Sequence, residues 1–322
     1  MMDLIFGYLI VDLRLNLYSN VFDSHTMKVL VTGATGFIGS RLVDKLANRG
    51  ATLTCLVRSG SIQNPSAKTI NGDLTYPDFI LPDEKYDIVY HLAASWPGEK
   101  DKKVSRTVNY DGTVNLFSLV KDKTKFLVYV SGLGAFGDPQ GRIIDENSPS
   151  NPNTDYAKVR LEAQKYLESN CKESGIAFSV AYLGDVYGNG GWFKSIMVDR
   201  LRNGSFKLPG SGEYYRSFIH VDDAVSSLVS IAEKNAINQS FIVTDSKPIV
   251  FKDYVNFVAD ELGVKRPGSV PAFLAKAVMG GEFVKLLTTS VKTSNAKIAK
   301  LCEFVYPSYQ EGIRSVVAEM KS

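Results

Sequence analysis

Three glycines, Gly33, Gly36 and Gly39, stand in the stretch Lys28-Val-Leu-Val-Thr-Gly-Ala-Thr-Gly-Phe-Ile-Gly-Ser40. The chemistry that this spacing serves is the grip on a pyrophosphate. Backbone stripped of side chains lets an anion approach, and a helix starting there offers unpaired N–H groups and the positive end of its dipole. A short apolar run rich in β-branched residues precedes the glycines. Phe37, Ile38, Leu42, Val43 and Leu46 follow at helical spacing on one face. The order strand, tight turn, helix separates this motif from a merely flexible glycine loop. The chain is therefore read as binding a dinucleotide, with Gly33, Thr35, Gly36, Phe37, Ile38 and Gly39 around the phosphates.

Elements able to hold such a ligand follow in alternation. Strands are expected at 28–32, 52–57, 68–71, 87–91, 126–131 and 177–183, and helices at 37–49, 105–120 and 155–173. That pattern implies a parallel sheet with crossover helices, whose ligands lie at the carboxyl ends of the strands where strand order reverses. Beyond Gly188 the character changes. Glycine-rich and aromatic loops alternate with helical pieces at 193–203, 222–234 and 251–262, and Pro267, Pro271 and Pro307 punctuate the tail. The expected organisation is an α/β, doubly wound parallel sheet (a Rossmann fold) over 27–182, then a smaller mixed substrate domain over 183–322. Residues 1–26 are read as an appendage outside the fold. Their apolar run Leu4–Val11 ends at Asp12 and Arg14, too short to span a bilayer; a docked amphipathic segment is the rival reading.

Composition narrows the function class. The chain has 322 residues, 44% hydrophobic and 22% charged, and a net charge of +3, too small to suggest a nucleic-acid partner. Cys55, Cys171 and Cys302 form no CxxC pair, which suits a reducing, cytoplasmic compartment. The three histidines lack ligand-like spacing, so no metal site is expected, and the short apolar run at the start gives no reason to expect a membrane partner.

The TGxxGxxG pattern resembles the short-chain dehydrogenase/reductase superfamily. Asp73-Leu74, His91-Leu-Ala-Ala94, Asn109, Tyr156, Val186-Tyr-Gly188 and Arg216-Ser-Phe-Ile-His-Val-Asp-Asp223 are similar, in the same order, to its extended epimerase/dehydratase branch, from about Met27 to the C-terminus. The resemblance implies a nicotinamide cofactor, with 217–245 returning to the nucleotide domain. Asp73 and Leu74 would sit by the adenine. Leu92, Ala93 and Ala94 would line the cofactor, Ala93 near the pyrophosphate, and Tyr187 would mark the loop beside the nicotinamide. The second strand ends Cys55-Leu-Val-Arg-Ser59 with no carboxylate to repel a 2′-phosphate, and Arg58 can pair with one. NADP is thus expected over NAD.

The resemblance also implies a catalytic Ser or Thr, a Tyr, and a Lys four residues after the Tyr. A phenol with a pKa of about 10 is a poor base near neutrality, and a cation one helical turn away stabilises its phenolate. Tyr156 is present, but Arg160 stands where the lysine would be. Gly132 occupies the hydroxyl position, with Ser131 beside it. Adjacent strand residues face opposite ways, so Ser131 substitutes only if the strand end twists or bulges. The expected activity is NADP-dependent reduction, epimerisation or dehydration of a small carbonyl or hydroxyl compound, plausibly a nucleotide-sugar. In that reading Tyr156, Arg160 and Ser131 are catalytic, and Arg216, Trp192 and Tyr215 bind substrate. The alternative is an atypical dinucleotide-binding member, catalytically impaired, with a scaffold or regulatory role. Arg216 could instead be a structural tether. Asp222 and Asp223 read as caps of the following helix. Family members often dimerise through the tyrosine-bearing helix, so Leu116, Phe117, Leu161, Tyr166 and Leu167 are candidates for a homodimer surface, with intrachain packing as the other reading.

Overall fold

The computed structural model describes residues 26–76 and 78–321; apart from Thr26, the expected appendage lies outside them. Strand β1 (Lys28–Thr32) leads through the glycine turn into helix α1 (Phe37–Ala47), then β2 (Thr52–Val57), β3 (Ala67–Asn71) and β4 (Tyr86–His91). Helix α2 is assembled from Lys102–Arg106, a wider π turn at Thr107–Asp111, and Gly112–Val120. Strand β5 (Thr124–Gly132), helix α3 (Asp155–Glu173), β6 (Ala177–Leu183), α4 (Val221–Glu233) and β7 (Ser240–Val243) complete the nucleotide-binding half. The seven strands lie in the order β7-β6-β5-β4-β1-β2-β3, every pair parallel. The doubly wound α/β class expected from the sequence is the fold observed.

Chain direction across the sheet reverses between β1 and β4, so the crevice of this fold opens beyond Thr32 and His91. The strands are near-continuous apolar runs because both faces are covered. On one side Leu42, Val43 and Leu46 of α1 pack with Ala224, Val225 and Leu228 of α4. On the other, Leu116, Phe117 and Val120 of α2 pack with Ala163, Leu167 and Cys171 of α3. Leu116, Phe117, Leu161 and Leu167 are therefore buried within the single chain. They are not a free surface, and the homodimer patch expected from them is corrected to intrachain core.

A third core gathers the remainder of the chain. Tyr187, Phe193, Met197, Leu201 and Phe218 pack with helix α5 (Phe251–Leu262) and, further on, with α8 (Tyr309–Glu319). Between those helices runs a hairpin of two short ones, α6 (Ala272–Met279) and α7 (Gly281–Thr288). The hairpin folds back over the start of α3. Lys285 Nζ donates to the Asn153 carbonyl at 2.6 Å, and the Asp155 amide donates to Glu282 Oε2 at 2.7 Å. An acidic side chain suits that helix start, where amides lack intrahelical partners. Asp223 differs from its expected capping role. It is fully buried and accepts the amides of Val305 and Tyr306, pinning the tail to α4, while His220 caps the helix through Nδ1.

Gly33 and Gly39 leave no room for a side chain. Gly33 has φ of +70°, and a Cβ there would lie 2.7 Å from the Ala93 amide nitrogen. A Cβ on Gly39 would run into the carbonyl oxygen of Gly33, whereas one on Gly132 would meet only the Leu183 carbonyl oxygen, at 3.9 Å. Gly39→Ala should therefore cost about 1–3 kcal/mol through overpacking, and Gly132→Ala should stay within about 0.5 kcal/mol of the parent. Urea unfolding measures both; equal stabilities would contradict the close approach.

Candidate active site

The carboxyl ends of β1 and β4 are tied by one hydrogen-bonded chain. Thr32 Oγ1 and His91 Nδ1 lie 2.7 Å apart, and the Ala93 amide donates to the same hydroxyl at 3.3 Å. On the far side His91 Nε2 meets Thr113 Oγ1 at 2.9 Å, and that hydroxyl donates to the Asn109 carbonyl at 2.7 Å. Since the Thr113 proton is committed to Asn109, Nε2 carries the imidazole hydrogen and Nδ1 accepts from Thr32. Burial holds the His91 pKa down to about 3, with the Arg160 charge adding to the effect. His91 is thus a neutral spacer that sets the distance between two strand ends.

Against this frame lies the glycine cradle. Gly36 precedes α1 with no side-chain cap and no acidic residue in the first turn, so the first amides of α1 are left for an anion. Gly33 and Ala93 meet across the crevice, with Leu92 beside them. Thr35 is exposed at the rim. The Phe37 ring packs against the backbone of Gly188, Gly190 and Gly191, where any Cβ would strike it, while its amide is among the first of α1. Arg58 is exposed at the end of β2. Asp73 accepts the Thr75 amide at 2.9 Å, and Asn115 anchors the buried Leu74 through its carbonyl at 2.7 Å. Tyr187 is corrected outright. It is fully buried, and its ring packs among Phe193, Phe218, His220 and Tyr254.

Asn109 sits in the π turn of α2 and is fully buried. Its side chain accepts the Ser95 amide at 3.0 Å and donates to Ser95 Oγ at 2.8 Å and Ser105 Oγ at 3.2 Å. The widened turn thereby fixes the loop that continues from β4.

Tyr156 enters on the first turn of α3, which Thr154 caps by accepting the Ala157 amide. It is half-buried and lines a cavity of about 210 Å³ with Ser105, Lys102, Met279, Phe283 and Glu282 among its walls. Burial pushes its pKa above the ordinary phenol value, and the Arg160 charge pulls the other way without prevailing. Arg160 departs from the role expected of it. Its guanidinium lies 4.6 Å over the Tyr129 ring, donates to the Val130 carbonyl through Nη2, and leaves Nη1 buried with no partner among the described residues. Arginine reaches beneath β5 because its planar fork can stack on an aromatic face and bond a carbonyl together. Ser131 pairs with Tyr182 and Gly132 with Leu183 in unbroken register. The strand end neither bulges nor slips, so Ser131 does not enter the position held by Gly132.

On the substrate side, Arg216 has its donors engaged. Nε and Nη2 bind the two carboxylate oxygens of Asp185, each at 2.6 Å, and Nη1 reaches the carbonyls of Leu286 at 2.9 Å and Leu287 at 3.1 Å. This is the tether geometry, binding the 185 strand to the end of α7. Tyr215 carries Lys292 Nζ at 4.1 Å over its ring and is absent from the cavity walls. Trp192 donates Nε1 to the Val186 carbonyl at 2.7 Å and does line a second cavity, of about 180 Å³, which adjoins the first through Pro97, Met279 and Phe283. The sequence reading missed Trp96, Met279, Glu282 and Phe283. Met279, Glu282 and Phe283 lie on α6 and α7, far from any motif, and only the hairpin's return to α3 brings them there; Trp96 follows His91-Leu-Ala-Ala94 by two residues.

A family model described as "NAD dependent epimerase/dehydratase family" matches residues 29–243. A Streptomyces 3-diazoavenalumate denitrifying reductase is 29% identical, the alignment covering 89% of this chain and 99% of that protein. A UDP-glucose 4-epimerase from Thermotoga maritima, solved with UDP-glucose, superposes with a TM-score of 0.80 at 22% identity, over 92% of this chain and 99% of the other. A human epimerase family protein solved with NADPH gives 0.76 at 20% identity, over 91% and 99%.

Burial also lowers the His220 pKa, to about 4, the Asp222 carboxylate opposing and Arg41 reinforcing it. With both imidazoles depressed from about 6.5, the unfolded chain binds more protons in this range, so stability is intact above pH ~6.5 and falls as pH drops below it. The slope is about 1.4 kcal/mol per pH unit for each histidine. His91→Gln should flatten the dependence of melting temperature on pH between about 6.5 and 4; an unchanged slope would mean that His91 is not the buried neutral group.

Proposed function

Since the chain belongs to the NAD dependent epimerase/dehydratase family, we propose that it is an NADP(H)-linked enzyme acting on a carbonyl or hydroxyl group of a small molecule, with Tyr156 as its acid and base. The observation that carries this reading is that Tyr156 faces an open cavity, while the uncapped α1 start forms a backbone cradle at the switch point of the same sheet. The dinucleotide would be held by the amides of α1 and by Arg58, Asp73 and Leu74. Bound there, its nicotinamide supplies a hydride donor or acceptor. The tight Gly33–Ala93 and Gly39–Gly33 approaches fit a phosphate-binding turn.

The chain's own contribution is a proton. A phenol whose pKa is raised by burial keeps its hydrogen at neutral pH, so Tyr156 is loaded as a general acid for an oxygen that gains negative charge. Reduction is the direction this protonation state favours. The reverse direction needs the phenolate, which Arg160 assists through space from beneath β5 rather than by contact. A missing hydroxyl at Gly132 removes one donor, typically worth about 100- to 1000-fold in rate. That loss, with Arg160 turned inward, favours a second reading: a dinucleotide-binding protein with little turnover.

Tyr156→Phe should reduce turnover at least about 100-fold and leave NADP(H) affinity within a few-fold; full activity in this variant would remove the mechanism, and no turnover in the parent with intact cofactor binding would favour the second reading. For cofactor choice, Arg58→Ala should weaken NADP binding about tenfold and leave NAD binding unchanged. Calorimetric titration decides this, and a parent chain that prefers NAD would contradict the assignment.

A further inference from the structure

The second cavity is unlike a sugar site. Its walls include Trp96, Trp192, Phe206, Phe251, Met279 and Phe283. Among its lining side chains the charged ones are Asp185, Arg216, Arg200 and Lys207, and the Trp192 Nε1–H is spent on the Val186 carbonyl. Asp185 and Arg216 neutralise each other in a two-pronged ion pair, and the remaining Arg216 donor is spent on the α7 carbonyls. No hydroxyl or amide side chain faces the space. A hexose placed there would leave its hydroxyls without partners, at a cost of several unmade hydrogen bonds. A diphosphate would find Arg216 already taken by Asp185.

Arg200 and Lys207 are different. Both are exposed, and neither has an ion-pair or side-chain hydrogen-bond partner among the described residues. They put uncompensated positive charge beside an aromatic slot. The neighbouring cavity is polar by contrast, with Tyr156, Ser105, Lys102 and Glu282 in its wall, and the two share Pro97, Met279 and Phe283. Trp96 and Phe283 lie 5.2 Å apart, centroid to centroid, between them.

Resting on the catalytic role given to Tyr156 above, we infer that the substrate is an apolar, ring-bearing acid rather than a nucleotide-sugar. Its ring lies in the aromatic slot, its carboxylate is met by Arg200 and Lys207, and its carbonyl or hydroxyl extends toward Tyr156. The pattern is that of a small-molecule pocket lined by apolar side chains with few charges to fix orientation, with flat rings packed by offset or edge contacts.

The chain's two tryptophans, Trp96 and Trp192, both line this cavity, so their fluorescence reports on it whether or not the protein turns over. The intact chain, saturated with NADP⁺, is titrated with phenylbutyrate, with the uncharged phenylbutanol and with UDP-glucose, and NADP⁺ affinity is measured separately by calorimetry. Saturable change with phenylbutyrate, about tenfold weaker binding of the alcohol, and loss of that difference in Arg200→Ala/Lys207→Ala are expected. Binding of UDP-glucose more tightly than phenylbutyrate overturns the inference. So does absence of any phenylbutyrate response while NADP⁺ still binds, or an acid preference that survives the double substitution. Loss of NADP⁺ binding would instead overturn the catalytic reading, a failure that calorimetry detects by itself.

Discussion

Backbone against backbone at the end of β1 is the contact on which the molecule turns. Gly33 adopts a left-handed conformation and touches Ala93 across the switch point, and Gly39 sits against the carbonyl of Gly33. Any side chain at either position would part the first helix from the sheet. With the glycines in place, α1 starts at the crevice without a cap, and its free amides face outward. His91, a neutral imidazole between two threonines, fixes the same two strand ends from the opposite side. One local closeness thus sets both the uncapped start of α1 and the geometry of the loops that follow β4.

Charge is handled by burial and pairing rather than by numbers of contacts. Arg160 is taken into the space under β5, where Tyr129 and the Val130 carbonyl hold it. From there it acts on Tyr156 and His91 by field, lowering both against or alongside the effect of burial. Arg216 is likewise internalised, its fork closed on Asp185 and on the last carbonyls of α7. A guanidinium can satisfy a carboxylate and carbonyls at the same time, which a lysine ammonium does less well. Both arginines therefore serve architecture where the motif alone suggested ligand contact.

The α6–α7 hairpin is what walls the cleft in front of Tyr156. Glu282 meets the first amide of α3 and Lys285 meets the loop before it, so the hairpin is held at the tyrosine's own helix. Met279 and Phe283 then form the wall common to a polar compartment and an aromatic one. The hairpin and the 192–209 stretch together line the aromatic compartment.

Local pattern was enough for the layered frame. Helix α3 at Asp155–Glu173 and the strand at Ala177–Leu183 coincide with their expected bounds, because apolar period, capping and glycine stops are properties of adjacent residues. The glycine cradle and the absence of a carboxylate after β2 are equally local. The direction of a long side chain is not. Whether Arg160 reached the cleft or the core, whether Arg216 met a ligand or Asp185, and whether Tyr187 lay beside a cofactor or inside the third core all depended on partners 30 to 125 residues away in sequence. The two helices over residues 272–288 carry no motif, and their role exists only through contact with α3. Sequence alone determined the sheet, its switch point and its anion turn, since these follow from short-range sterics and hydrophobic period; tertiary packing decided what each charged side chain touches, since a flexible chain of three or four methylenes goes where the nearest unpaired acceptor lies.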